Sequence, residues 1–204
     1  MNVKFLFIAI LLLSISYSNI FSQDWGIGVR LGDPSGITIK KHSNNKALEL
    51  SVGRTHTFTN NGYYDNKFKD FHPDINYTDI QYVDYKASTP LSFQFHYLIQ
   101  KPINKVENIN TSGLFWYYGF GAQFRFQTYT FNYRYRLLGS NDWIYATGEK
   151  VTDYDIGPDG VIGLEYTFME APISLFLDVT LFMEIVNDPF MFWFQGGIGV
   201  RYKF

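Results

Sequence analysis

Ser92 and His96, four residues apart, are the closest local candidates for nucleophilic chemistry in this chain. Lipid hydrolases and acyltransferases need a nucleophile, a general base and an orienting acid within reach of one another. The two residues share one face of a predicted strand, where a spacing of four residues corresponds to about 13 Å. That distance is too long for a hydrogen bond, and the sequence contains no Gly-X-Ser-X-Gly elbow. We therefore predict no catalytic residues and no enzyme activity.

Three aspartates in a polar stretch, Asp153, Asp155 and Asp159, have the oxygen chemistry that calcium prefers. Their spacing does not match an EF-hand, and a solvated acidic loop is the simpler interpretation. The chain has no cysteine, which excludes disulfides and thiolate metal sites. We predict no metal site and no cofactor.

The composition favours one all-β domain in a chain of 204 residues. Aromatic residues make up 20% of the sequence, and the net charge of -2 gives no reason to expect nucleic acid as a partner. The mean hydropathy is -0.13. A value near zero does not argue against a membrane barrel, because only alternate residues of such a barrel face lipid.

The first 22 residues have the features of a secretory signal peptide. Lys4 supplies the positive start, and Phe5 to Leu13 form an unbroken apolar run. This run is shorter than the roughly 18–20 residues that a membrane-spanning helix needs. We predict cleavage after Ser22, with Ser18 as the alternative, which leaves residues 23–204 as one exported domain.

Apolar and polar residues alternate along the rest of the chain, which predicts β-strands. The last strand is the clearest example, with its apolar parity at Phe192, Phe194, Ile198, Val200, Tyr202 and Phe204. The pattern predicts eight strands in an antiparallel, up-and-down transmembrane β-barrel. Two long polar connections, at 55–89 and 128–158, fall at the same end of that barrel and are predicted to be extracellular loops. The first two predicted strands have about seven residues each, fewer than the roughly 9–11 that a crossing strand needs.

The polar parity of these strands carries charges of both signs, at Arg30, Lys40, Glu49, Arg125, Glu165, Asp178 and Arg201. Lipid cannot accept such groups, whereas the narrow interior of an eight-stranded barrel suits paired charges and glycines. The apolar parity ends in aromatic residues such as Trp25, Trp116 and Tyr202, as expected where strands meet the two membrane interfaces. We therefore predict that the charged residues form a network that fills the lumen, so that the protein is not a wide pore. The alternative is a soluble periplasmic barrel with the apolar side inward, which would carry a hydrophobic ligand.

The two long polar connections are rich in tyrosine. Tyrosine combines a large contact area with a polar tip and is enriched in binding surfaces. The tyrosines are therefore a candidate loop contact surface for an unidentified extracellular partner, formed by Tyr63, Tyr64, Tyr77, Tyr82, Tyr85, Tyr129, Tyr133 and Tyr135. Alternatively, these connections extend the barrel as a sheet above the membrane, with the tyrosines as ordinary strand residues.

The chain resembles the small outer-membrane β-barrel proteins of Gram-negative bacteria, and in pattern the resemblance covers essentially all of residues 23–204. The segments that carry it are GVRLGDPSGITIK, WYYGFGAQ and the terminal GIGVRYKF. The resemblance implies a place in the cell envelope, contact with outer-membrane lipid and folding by the barrel assembly machinery. It further implies that Val200, Tyr202 and Phe204 belong to the C-terminal signal read by that machinery. It implies no reaction.

Together, these observations predict an integral outer-membrane barrel with a structural or surface-interaction role. An outer-membrane lipid-modifying enzyme, whose polar residues converge only in three dimensions, and a soluble carrier remain as alternatives.

Overall fold

The computed structural model describes residues 24–55, 68–69, 77–103, 111–186 and 189–204. The predicted signal peptide at 1–22 lies outside the described residues. The described part of the chain is mostly β-strand. Its strands are β1 (Trp25–Gly32), β2 (Ser35–Ser43), β3 (Lys46–Arg54), β4 (Tyr77–Ala87), β5 (Leu91–Pro102), β6 (Leu114–Leu137), β7 (Ile144–Thr167), β8 (Ile173–Met183) and β9 (Phe192–Lys203).

Eight of the nine strands close into a ring. The order around it is β6-β5-β3-β2-β1-β9-β8-β7, and the pairing of β6 with β7 completes the circle. Every neighbouring pair is antiparallel. The prediction of an all-β, antiparallel fold with eight strands in a closed arrangement is confirmed at this level, and β4 is an additional strand.

The pairing around the ring is staggered. Starting from Val29, the partners through β2, β3, β5 and β6 lead to Ile156 on β7. The partners through β9 and β8 lead instead to Tyr166, ten positions further along the same strand. A closed sheet with such an offset must tilt its strands against the ring axis, typically by about 35–45°.

The outer surface of the ring is apolar and its interior is polar. Leu50, Phe95, Leu177 and Val200 are 43%, 50%, 53% and 37% exposed. The alternate residues along the same strands are buried, and many of them are charged. The orientation predicted from the charged parity is therefore the one found. The described interior also contains a small apolar cluster of Ala47, Leu98, Tyr117 and Val161, among a larger number of buried polar and charged side chains.

The two regions predicted as long polar loops contain strands. The strands β6 and β7 continue to Leu137 and from Ile144, so most of 128–158 is a hairpin. Strand β4 lies within 55–89 and pairs with the upper part of β6. We call this three-stranded region the projecting sheet: β4, residues 128–137 of β6 and residues 144–152 of β7.

For the described strands the loop interpretation was wrong, and the alternative of a sheet that continues beyond the ring is the one found. The misassignment has a physical reason. Above the ring the outward side chains of β6 are Thr128, Thr130, Asn132 and Arg134, so the apolar-outside pattern that identified the other strands is missing. In β4 the pairing shifts between Tyr82 and Asp84. Such a bulge moves later side chains to the other parity and hides the period of two.

No helix in the described residues has the length and hydrophobicity to cross a membrane.

Candidate functional site

The lower interior of the ring, nearer the end where β1 begins and β9 ends, is linked by four charged residues from four strands. Lys40 Nζ lies 2.6 Å from Glu165 Oε2, and Arg201 Nη2 lies 2.7 Å from Glu49 Oε1. Arg201 also approaches Glu165, at 3.4 Å. At most 3% of each of these side chains is exposed. These contacts link β2, β3, β7 and β9 across the lumen.

A second ion pair lies above the first group and crosses a strand. Arg30 Nη1 donates to Asp178 Oδ2 at 2.5 Å, which links β1 to β8 although β9 lies between them. The Tyr117 hydroxyl donates to the same carboxylate oxygen at 3.2 Å. The Asp178 carboxylate therefore receives donors from two sides of the lumen.

The upper interior contains the last predicted charge, Arg125. Its Nη2 lies 2.8 Å from Asp155 Oδ2 and 3.5 Å from Glu184 Oε2. The guanidinium carbon lies 4.9 Å from the ring centre of Phe182 and 4.6 Å from that of Trp193. The buried Arg125 is therefore surrounded by two carboxylates and two aromatic rings in the upper lumen.

All seven residues predicted to form the lumen charge network are thus buried and have an oppositely charged partner within 3.5 Å. Sequence reasoning did not place Asp155, Asp159, Glu184 and His96 among them. Asp155 and Asp159 share the parity of Glu165 on β7, which was a usable signal. It was missed because these aspartates were assigned to a solvated loop.

The residues considered for catalysis or metal binding are committed to other contacts. Gln123 Nε2 donates to Ser92 Oγ at 2.7 Å, and His96 Nε2 lies 3.0 Å from Asp159 Oδ2. Asp155 pairs with Arg125. The described residues contain no group of three or more histidine, cysteine or acidic side chains suited to hold a metal.

Amide side chains occupy the level between the charged layers. Gln94 Nε2 donates to Gln123 Oε1 at 3.2 Å and to Gln195 Oε1 at 3.0 Å. All three glutamines are at most 2% exposed. These contacts fill the middle of the lumen with hydrogen-bonded polar groups.

Two large aromatic side chains lie against glycines of the neighbouring strand. Phe176 is paired with Gly199, and Tyr117 with Gly163. A Cβ atom on Gly199 would be 2.3 Å from Phe176 Cζ, and one on Gly163 would be 2.5 Å from Tyr117 Cζ. These glycines therefore provide the room that the two rings need, a known way of filling a curved sheet.

A cavity of about 300 Å³ lies at the end of the ring where β1 begins and β9 ends, lined by His42, Asn44, Asn45, Gln100, Pro102, Phe115, Glu165 and Lys203. His42 Nδ1 lies 2.9 Å from Gln100 Oε1. Glu165 Oε1 lies 3.7 Å from His42 Nε2 and 3.6 Å from Lys203 Nζ. Glu165 lines this cavity and also pairs with Lys40, so the cavity adjoins the buried ion pairs.

The projecting sheet has an aromatic inner side. Tyr129, Phe131 and Tyr133 of β6 form a buried cluster with Phe68. The ring centre of Phe68 lies 5.5 Å from that of Phe131 and 5.3 Å from that of Tyr133. On the outer side, Arg134 and Arg136 both lie over the ring of Trp143, at 4.5 and 4.4 Å.

The tyrosines proposed as a loop contact surface divide into three groups. Tyr63 and Tyr64 lie outside the described residues, and Tyr77 begins β4. The remaining five also lie in strands of the projecting sheet and not in loops: Tyr82, Tyr85, Tyr129, Tyr133 and Tyr135. Tyr129 and Tyr133 are only 1% and 7% exposed because they pack in the aromatic cluster. The role of this set in contact with a partner stays a prediction.

The C-terminal residues form one side of the seam at which the ring closes. Tyr202 pairs with Ile27 and Val200 with Val29. The backbones of Phe204 and Trp25 exchange hydrogen bonds of 3.2 and 2.9 Å. The final apolar residues therefore face outward along the β1–β9 seam, and recognition by the assembly machinery stays a prediction.

Comparisons with known proteins show similarity in shape only. No protein-family model matches the sequence, and no curated protein matches it. Among solved structures, the chain is similar to the N-terminal β-barrel domain of Pseudomonas aeruginosa OprF, with 13% identity, a TM-score of 0.46, and coverage of 88% of this chain and 95% of that one. It is also similar to Neisserial surface protein A, with 11% identity, a TM-score of 0.41, and coverage of 88% and 93%. The functional proposal therefore rests on the side chains described above.

Proposed function

We propose that this protein is an integral β-barrel of the outer membrane, with lipid around the ring and a filled polar lumen. The observation that carries the proposal is the arrangement of the ring, apolar outside and ion-paired inside. A closed antiparallel ring satisfies all its backbone groups internally, which is what the hydrocarbon core of a bilayer requires. In water the same ring would expose a continuous apolar surface far beyond the isolated apolar residues of ordinary soluble proteins.

Aromatic residues near both ends of the ring support a bilayer as its surroundings. At the lower end, Lys101 Nζ lies 5.7 Å from the ring centres of both Trp116 and Tyr118, and Lys41 lies 5.2 Å from that of Trp25. At the upper end of the ring, the ring of Phe124 on β6 stacks on that of Tyr154 on β7, with the ring centres 6.1 Å apart. Aromatic residues with basic neighbours are typical of the headgroup region.

We infer a structural or surface-interaction role and no reaction. The buried ion pairs and amides occupy the lumen, so the ring offers no wide path for solutes. Ser92 and His96 are engaged with other residues and do not form a nucleophile–base pair. The surface available for a partner is the projecting sheet, with polar outer side chains and two strand edges, on β4 and on residues 144–152 of β7, that pair with no described strand. Open strand edges can accept an extended segment of another polypeptide.

Cell fractionation followed by gel electrophoresis tests the membrane assignment. We expect the mature protein in the outer-membrane fraction, with Gln23 as its first residue. Without heating it should run at a different position from the boiled sample, because the closed ring resists the detergent. Recovery in the soluble periplasmic fraction would contradict the proposal and favour the carrier.

Labelling of intact cells tests the orientation. The chain has no cysteine, so single cysteines can be introduced without a background. Thr147→Cys, in the projecting sheet, should react with a membrane-impermeant maleimide. Asn45→Cys, in the turn at the opposite end, is the matched control and should react only after the cells are lysed. The reverse pattern would place the projecting sheet in the periplasm.

A further inference from the structure

The apolar outer surface of the ring does not have the same height all the way around. On β6 the outward apolar residues run from Leu114 to Phe126, and on β9 from Phe192 to Phe204. On β3 they run only from Leu48 to Val52, and the outward residues on either side are Lys46 and Arg54, both exposed. On β2 the outward apolar residues are Ile37 and Ile39.

The register and the tilt of the strands give the height of each apolar run along the ring axis. At a tilt of about 40°, one residue along a strand rises about 2.5 Å along the ring axis, and each step to the next strand adds about 3 Å. The apolar surface is then roughly 30 Å high on β6 and β9, roughly 15 Å on β1 and roughly 10 Å on β3. The first value matches the hydrocarbon core of a bilayer, and the last is about a third of it.

Most of the difference lies at the upper end of the ring. Trp25, Trp116 and Tyr202 are within roughly 3 Å of the same height, whereas on β3 Lys46 is at that height and Leu48, the lowest outward apolar residue, lies roughly 5 Å above it. The uppermost outward apolar residues of β1 to β3 lie roughly 10 Å below Phe126 and Phe192. In the described part of the chain, β1 ends at Gly32, just before Asp33, and β3 ends at Arg54.

We propose that the short side, defined as the outer surface of β1, β2 and β3, locally thins the membrane leaflet in which the upper end of the ring lies. This inference rests on the proposed function and extends it by identifying the lipid surroundings of one side. The partner of the short side is lipid whose headgroups are drawn down toward Arg54, which is exposed. A bilayer meets a short apolar surface by thinning, because otherwise the charged rim would lie in hydrocarbon.

Single cysteines at matched heights test the proposal. Arg54 on the short side and Leu181 on β8 lie at nearly the same height above the lower boundary, and both face outward. The purified variants Arg54→Cys and Leu181→Cys are reconstituted in vesicles of lipids with 16- to 18-carbon chains and treated with a water-soluble maleimide. We expect Arg54→Cys to react at a rate close to that of Thr147→Cys in the projecting sheet, and Leu181→Cys to react at least tenfold more slowly.

Two outcomes would overturn the inference. If Arg54→Cys is as protected as Leu181→Cys, the leaflet is not thinned, or protein covers the short side. Quenching of a fluorophore on this cysteine by brominated lipid chains separates these two causes, since only lipid contact gives quenching. If Arg54→Cys becomes reactive only in vesicles of 12-carbon lipids, the short side lies submerged in a bilayer of normal thickness.

Leu177→Cys distinguishes failure of this inference from failure of the proposed function. Leu177 lies near the middle of the tall side, so any membrane-embedded ring protects it. A fast reaction at Leu177→Cys in vesicles would mean that the protein is not embedded at all. Protection at Leu177→Cys together with protection at Arg54→Cys would reject the thinning alone.

Discussion

The ring and the projecting sheet share β6 and β7, yet the two regions have opposite patterns. Below Phe126 the outward side chains of β6 are apolar, and the inward ones include Tyr117, Gln123 and Arg125, all of which are buried. Above it, Thr130 and Arg134 face outward, while Phe131 and Tyr133 are buried in an aromatic cluster. The pairing of β6 with β7 continues across this boundary. In the proposed membrane location, the medium outside the sheet changes there from lipid to water, and the comparison teaches that this medium decides which parity is apolar.

The largest effect should come from breaking the interior of the ring. Glu165→Gln leaves Lys40 and Arg201 without their shared carboxylate. An unpaired charge in a buried site costs about 3–5 kcal/mol. Urea unfolding in detergent micelles, followed by tryptophan fluorescence, should show a loss of this size. Glu170→Gln, in an exposed turn, is the control, and equal losses for the two variants would contradict the role of the buried pairs.

A truncation inside the projecting sheet should cause a similar loss of stability, but the loss should be confined to that sheet. Phe131→Ala removes a fully buried ring from the aromatic cluster, and such a truncation costs about 3–5 kcal/mol. Hydrogen exchange should accelerate at residues 129–137 and 144–151 and stay slow in β8 and β9. The heat-dependent gel shift should persist. Loss of that shift would mean that the ring depends on the sheet above it.

An added outward charge should distinguish the two regions directly. Leu177→Arg places a guanidinium near the middle of the outer surface that we propose faces lipid, at a cost of about 2–4 kcal/mol. Thr130→Arg places the same group on the outer side of the projecting sheet, where a surface substitution changes stability by at most about 0.5 kcal/mol. Folding yield in vesicles and urea midpoints measure both. Equal effects would show that the two regions face the same medium.

Alanine substitutions at an inward and an outward glycine should differ in their effect on stability, because the inward position is closely packed and the outward one is open. Gly199→Ala places a Cβ 2.3 Å from both Phe176 Cζ and the Val29 carbonyl oxygen. Overpacking of this kind costs about 1–3 kcal/mol. At Gly160, a Cβ meets nothing within 4 Å, so Gly160→Ala is the matched control on the same ring. Thermal scans of the two proteins in micelles should differ, and a larger loss for Gly160→Ala would contradict the packing described.

The smallest effect should come from an ion pair in the projecting sheet. Asp79 and Arg136 are 2.6 Å apart, but each is about a third exposed, in contrast to Lys40 and Glu165. Exposed pairs contribute at most about 1 kcal/mol, and salt screens them. Asp79→Asn should therefore lower stability slightly at low salt and not measurably at 1 M salt, a concentration with a screening length of about 3 Å. A loss that persists at high salt would show that this pair behaves like the buried ones.

The sequence was sufficient for the features that depend on parity alone. Alternation located eight segments of the ring and put Arg30, Glu165 and Arg201 on the inward side, because side chains of a strand change faces at every residue. Alternation also identified the last strand, which ends in Phe204. In the structure this strand is one of the two at the β1–β9 seam.

The remaining features depend on contacts between distant segments. Strand β4 was not predicted, because a bulge near Tyr82 shifts the parity of its side chains. The upper parts of β6 and β7 were taken for loops because their outward residues are polar, although Tyr129, Phe131 and Tyr133 alternate regularly. The partners of Arg125 were missed because one of them, Asp155, was assigned to that same loop. Which acidic side chain pairs with which basic one depends on the ten-residue stagger of the strands around the ring. No local sequence pattern predicts that stagger.

The long sequence separation of the lumen contacts has a kinetic consequence. Lys40 and Glu165 are 125 positions apart, Arg30 and Asp178 are 148, and Arg201 donates to Thr38 across 163. None of these bonds can exist in a hairpin or in a sheet that is still open at the β1–β9 seam, since each needs strands from both halves of the chain. Neutralisation of these charges must therefore wait for the pairing of β1 with β9. In the proposed membrane location, an intermediate that is open at this seam would expose unpaired charged groups to lipid, so folding should proceed without a populated intermediate.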